Sequence, residues 1–79
     1  MKVRIEYGED RISLISGKSH FTLYSSDLEN LWEDDAERFC DRVEDYLFDV
    51  MPDEGYGEWE WKSADLGKAC HYVHKHLKK

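Results

Sequence analysis

Apolar and polar residues alternate through the first twenty-four positions of this chain, and from Ser26 onward apolar residues recur at three- and four-residue steps. Val3, Ile5 and Tyr7 alternate with Lys2, Arg4 and Glu6. Ile12 and Leu14 alternate with Arg11 and Ser13, and Phe21 and Leu23 with His20 and Thr22. A period of two is the signature of a strand with one buried face. Gly8-Glu9-Asp10 and Ser16-Gly17-Lys18-Ser19 supply turn chemistry between these runs. Connections this short join antiparallel neighbours, so the segment predicts a three-stranded antiparallel meander whose apolar face needs a cover.

The cover is predicted to begin at Ser26, which has capping-box spacing with Glu29. Leu28, Leu31, Trp32, Phe39, Val43, Tyr46, Leu47 and Val50 then keep to one side of a single long helix, which Pro52 ends near Met51. Pro52 to Glu58 reads as an acidic, glycine-containing loop, and Trp59-Glu60-Trp61-Lys62 alternates as a short edge strand does. Ser63 is placed to cap a second helix that carries Leu66, Ala69, Cys70, Val73 and Leu77 on one face. The expected fold class is α+β: a small three-stranded antiparallel sheet, with room for a fourth short strand, covered by two helices in the order βββα(β)α. Residues 1–79 form one domain in this reading.

Composition limits the function classes. A hydrophobic share of 41% in 79 residues is enough for one small core and too much for a disordered acidic tail. The N-terminus has no continuous apolar run of the kind a leader carries, and no stretch approaches the ~20 apolar residues of a membrane span. The expectation is a soluble, cytoplasmic protein without a membrane partner. Cys40 and Cys70 fall on apolar helix faces. In a reducing compartment they read as free core thiols, and a bridge between them would need an oxidising one.

Charge is the most unevenly distributed property of the chain. Between Asp27 and Glu60 the chain carries fourteen carboxylates against two basic residues, Arg38 and Arg42, while the segments on either side are net basic. No lysine occurs between Lys18 and Lys62. Glu29, Glu33, Glu37, Asp41, Asp45 and Asp49 follow one another at unbroken four-residue spacing, and on one helix Asp34 and Glu44 would share their outward sector. Each step would advance the row about 6 Å along the axis, close to the spacing of phosphates along a nucleic-acid strand. A face built only for solubility mixes signs. This one would set five like-charge pairs at i,i+4, each costing about 0.2–0.5 kcal/mol, with Arg38 relieving Asp34 and Arg42 relieving Asp45. Asp45 and Asp49 also sit at the wrong end of a helix dipole. The second helix obeys the dipole, with Asp65 near its start and Lys75, Lys78 and Lys79 near its end. A local violation of this kind tends to mark a functional surface.

Phe48 points outward among these acids, and Tyr56, Trp59 and Trp61 follow, interleaved with Glu54, Glu58 and Glu60. One of the two tryptophans is expected in the core and the other exposed. Aromatic side chains anchor interfaces. The candidate partner-binding set is therefore Glu29, Glu33, Asp34, Glu37, Asp41, Glu44, Asp45, Phe48, Asp49 and Tyr56.

Three catalytic or metal-binding patterns are weak. Cys70-His71-x-x-His74 with Cys40 lacks the paired spacing of structural zinc sites. Ser16-Gly17-Lys18-Ser19 resembles the end of a phosphate-binding loop, but Ile12 stands where the first glycine belongs. Nothing positions a cysteine–histidine nucleophile pair. No catalytic role, metal or cofactor is expected. The expected function is inhibition by mimicry of nucleic acid: the acidic face would occupy the basic groove of a nucleic-acid-binding protein or nuclease, with no direct nucleic-acid partner. Small acidic proteins of this kind are typical of phage or mobile-element weapons against restriction or CRISPR defence effectors. An immunity protein or antitoxin facing a basic nuclease has nearly the same physics. An interaction module led by exposed aromatics is the alternative of another class. Either a monomer or a dimer fits the sequence.

Overall fold

The alternating segment folds as β1 (Arg4–Gly8), β2 (Arg11–Ser16) and β3 (Ser19–Leu23) in a computed structural model that describes residues 2–77. The strands form an antiparallel sheet in sequence order. Ile5 lies opposite Leu14, which lies opposite Phe21, and Tyr7 lies opposite Ile12, which lies opposite Leu23. These cross-strand rows make one apolar face. On the polar face the hydroxyls of Ser13 and Thr22 meet at 3.0 Å. Gly17 has φ +60°, the conformation that a glycine-first two-residue hairpin turn requires.

Three helices follow: α1 (Ser25–Asn30), α2 (Ala36–Asp53) and α3 (Ser63–Leu77). The single long helix expected over 26–51 is therefore two helices with a break over 31–35. Two hydrogen-bonding events make the break. The Leu31 and Trp32 N–H groups bond back to the carbonyls of Asp27 and Glu29 at 3.1 and 3.2 Å, which closes α1. The Asp35 carboxylate then accepts from the Glu37 and Arg38 N–H groups at 2.9 and 3.1 Å, which opens α2 with a side-chain cap. α1 itself starts one residue earlier than Ser26, because the Asp27 carboxylate, rather than Glu29, reaches back to the N–H of Tyr24 at 3.3 Å.

Pro52 does not stop α2 at Met51; the helix runs on to Asp53. Proline lacks a donor, but its fixed φ suits one more helical residue in a last turn. The end is a Schellman arrangement: Gly55, at φ +88°, lets its N–H reach the Pro52 carbonyl at 3.1 Å and the Tyr56 N–H reach the Met51 carbonyl at 2.7 Å. The alternating Trp59–Lys62 segment pairs with the sheet at one point, where Glu60 lies parallel to Lys2 and its carbonyl accepts from the Val3 N–H at 3.1 Å.

One core cluster joins all the layers. The sheet gives Ile12, Leu14 and Leu23, α1 gives Leu28, α2 gives Phe39, Val43, Leu47 and Met51, and α3 gives Leu66, Ala69, Cys70 and Val73. Leu77, expected on that stripe, is only half-buried. α2 packs along α3, and α3 lies over β1 and β2.

Cys40 of α2 and Cys70 of α3 meet in that helix–helix contact as free thiols, and the Cys40 thiol donates to the Gly67 carbonyl at 4.0 Å. Burial is the main force raising both above the usual 9.0, and the nearby acids Asp41 and Glu37 push Cys40 the same way. A thiol is neutral when protonated, so with raised folded values the unfolded chain loses its protons first as pH rises. The stabilisation is whole below the unfolded value and is lost above it. Unfolding in urea at a series of pH values should show stability falling above about pH 9. The fall should be shallower in the Cys40→Ala/Cys70→Ala variant, and equal slopes in the two proteins would contradict the assignment.

Candidate partner-binding face

α2 turns its Phe39–Val43–Leu47–Met51 edge to the core, so Glu37, Asp41, Asp45 and Asp49 fall on the opposite side, and all four are exposed. They slant across the helix at about 6 Å per step. α2 has no basic residue in its last turn, where Asp49 and Asp53 sit against the dipole. α3 has the opposite arrangement, with Asp65 in its first turn and His74, Lys75 and His76 in its last. Lys78 and Lys79 lie outside the described residues.

The six-membered row expected from spacing is thus a four-membered row. Glu29 belongs to α1, while Glu33 and Asp34 belong to the connection before α2. Glu29 and Asp34 are exposed but off the row's axis. Glu33 is half-buried, and its carboxylate accepts from the Arg42 guanidinium at 2.9 Å. Arg42, expected opposite Asp45, is turned the other way. Three of the five expected like-charge pairs at i,i+4 remain and Asp49/Asp53 adds a fourth, so the repulsion along α2 comes to about 0.8–2 kcal/mol. Arg38 is exposed and shares the outward sector, so the face is predominantly, not purely, acidic.

Glu44 has an internal role. Its Oε2 accepts from Trp61 Nε1 at 3.0 Å and from the Ser63 hydroxyl at 3.0 Å. Ser63 is the first residue of α3, and its hydroxyl bonds to Glu44 rather than capping the helix. This contact sets the indole of Trp61 beside Phe48, with ring centroids 5.1 Å apart. Phe48 is 62% exposed, and it is the largest apolar side chain offered on α2. Tyr56, expected as a second anchor, is half-buried, with its ring 5.8 Å from Phe21 and 4.7 Å from Trp59. It supports the sheet edge. Neither Trp59 nor Trp61 is fully buried or fully exposed.

An open groove of about 610 Å³ runs beside the row, lined by Leu31, Arg42, Asp45, Tyr46, Phe48 and Asp49. Leu31 and Tyr46 belong to the apolar stripe, and periodicity alone could not show that their edges reach this groove. The arrangement can present a line of anions beside an apolar anchor. Among the described residues, no three His, Cys, Asp or Glu side chains converge as a metal would require. Cys70 is buried against Cys40, His71 is exposed, and His74 stacks on Trp32 at 4.5 Å. No described helix is long and apolar enough to cross a membrane. Compared with protein-family models, with curated proteins and with solved structures, the chain matches none.

The two kinds of carboxylate have opposite expected effects on stability. Asp45→Ala removes two like-charge neighbours and a poor helix former, and should stabilise by about 0.5–1 kcal/mol. Glu44→Ala leaves Trp61 and Ser63 without their acceptor, and should destabilise by about 1 kcal/mol with a red shift in tryptophan emission. Denaturant titration of both variants decides the matter. A destabilised Asp45→Ala would show that the row contributes to folding.

Proposed function

We propose that this chain is a small acidic inhibitor that docks α2 into the cationic groove of a nucleic-acid-binding protein or nuclease, in place of a phosphate row. The observation that carries this reading is the line Glu37, Asp41, Asp45 and Asp49, exposed along one helix that opposes its own dipole. Repulsion is retained there although a lysine at any of several positions would relieve it. Concentrated anionic charge steers association with a cationic cleft, and Phe48, backed by Trp61, supplies the apolar contact that slows release. A target of this kind fits a host defence effector, and the proposed setting is a phage or mobile element. An immunity protein encoded beside its nuclease would use the same face.

The exposed Phe48–Trp61 pair supports a second reading, in which the aromatics lead and the acid only keeps the protein dissolved. Salt separates the two, because charge steering is screened and apolar contact is not. Against the target captured from a host extract, Asp41→Lys/Asp45→Lys should lower the association rate by about 10- to 100-fold at low salt. Phe48→Ala should mainly raise the dissociation rate. In the mimic reading the target's nucleic acid competes with the inhibitor. Binding that keeps its rate after charge reversal, or that tolerates bound nucleic acid, would overturn it.

A further inference from the structure

α3 carries a surface of the opposite kind. Its outward residues Lys68, His71, Tyr72 and Lys75, together with Tyr7 of β1, line an open groove of about 560 Å³. Tyr7 and Tyr72 are 43% and 39% exposed, with their rings 5.3 Å apart. Tyr72 is in turn fixed by the ring of His76 at 4.3 Å. The groove therefore has rigid aromatic walls with a lysine toward each end, in a protein whose net charge is −7. The surface of α2 is its counterpart: Phe48 stands out between Asp45 and Asp49, with Asp41 one turn earlier. Lys68 and Lys75 are about 10 Å apart along their helix axis, and Asp41 and Asp49 about 12 Å along theirs.

From this match of an aromatic flanked by carboxylates with aromatics flanked by ammonium groups, we infer that α2 of one copy docks on the α3–β1 groove of a second copy, Phe48 packing on the exposed edge of the Tyr7–Tyr72 pair. Net charge opposes any approach of two such molecules. However, at ~0.15 M ionic strength the screening length is about 8 Å, so like charges farther apart than that repel only weakly. The contact pairs lie well inside it. Self-association should accordingly be weak at very low salt, strongest near physiological salt and lost again at high salt. A copy seated in this way covers the acidic row, so self-association and target binding exclude each other. The inference does not rest on the inhibitory reading, and its test uses the protein alone.

Sedimentation of the purified chain at about 0.15 M salt should give a weight-average mass rising from 9.4 kDa toward twice that or beyond, at concentrations between roughly 10 µM and 1 mM. Asp45→Lys/Asp49→Lys and Lys68→Glu/Lys75→Glu should each stay monomeric, because each sets like charges against each other. Mixed in equal amounts, the two variants should associate again, since the reversed α2 then meets the reversed α3. All four positions are exposed, and circular dichroism checks that both variants are folded. A wild-type chain that stays monomeric to 1 mM, or variants that remain apart when mixed, would overturn the proposal, as would Phe48→Ala associating as strongly as wild type.

Discussion

Trp32 decides where α2 starts, and through that which residues α2 shows to solvent. Its indole stacks on His74 of α3 with planes 6° apart and touches Phe39 at 5.2 Å. The backbone around it is held from two sides: Arg42 of α2 donates to the Trp32 carbonyl at 3.4 Å, and His74 Nε2 meets the Glu33 carbonyl at 3.0 Å. A residue pinned to both long helices cannot also continue α1. The chain leaves the helical path at Leu31 and re-enters at Asp35, whose carboxylate caps α2. Phe39 then fills the core one turn later, and the acidic row is directed outward.

Given that geometry, the acids of this chain divide by their partners. Asp27 and Asp35 satisfy helix N-termini, Glu33 holds Arg42, and Glu44 holds Trp61 and Ser63. These are structural groups in favourable places. Glu37, Asp41, Asp45 and Asp49 repeat one sign along a single face, with the last of them at the unfavourable end of the dipole. The protein tolerates this because its core, from Ile12 to Val73, is contiguous across sheet and helices. Stability is supplied by the buried face of α2, which leaves the acidic outer face without a packing role. α3 distributes its charge with its dipole and keeps its aromatics beside lysines.

Much of the fold was legible in the sequence because the relevant signals are local. Period-two alternation around short polar turns gave the meander, and the 3.6-residue stripe gave the core faces of α2 and α3. The break at 31–35 was hidden by arithmetic. Trp32 and Phe39 are seven residues apart, and seven residues are nearly two whole turns, so the stripe stays in phase across the interruption. The one local clue is Asp35, an N-cap residue inside the apolar-poor stretch between Trp32 and Phe39. Misplacing the break joined Glu29, Glu33 and Asp34 to a row they do not share. Glu44 and Tyr56 were misread for a different reason: their partners, Trp61 and Phe21, are distant in sequence, and a helical wheel contains no tertiary contacts. Phe48 was legible because outward placement on a helix follows from the wheel alone.

The α2 row is negative charge repeated along one face, and like-charge repulsion there costs stability. The direct measurement is unfolding free energy against sodium chloride concentration, for the wild type and for a variant with Glu37→Gln, Asp41→Asn, Asp45→Asn and Asp49→Asn together. Screening should raise wild-type stability as salt increases, and the neutralised variant should start more stable and respond much less. Wild-type stability that falls with salt, or a neutralised variant less stable than its parent, would show that these carboxylates hold the protein together and are not kept for a partner.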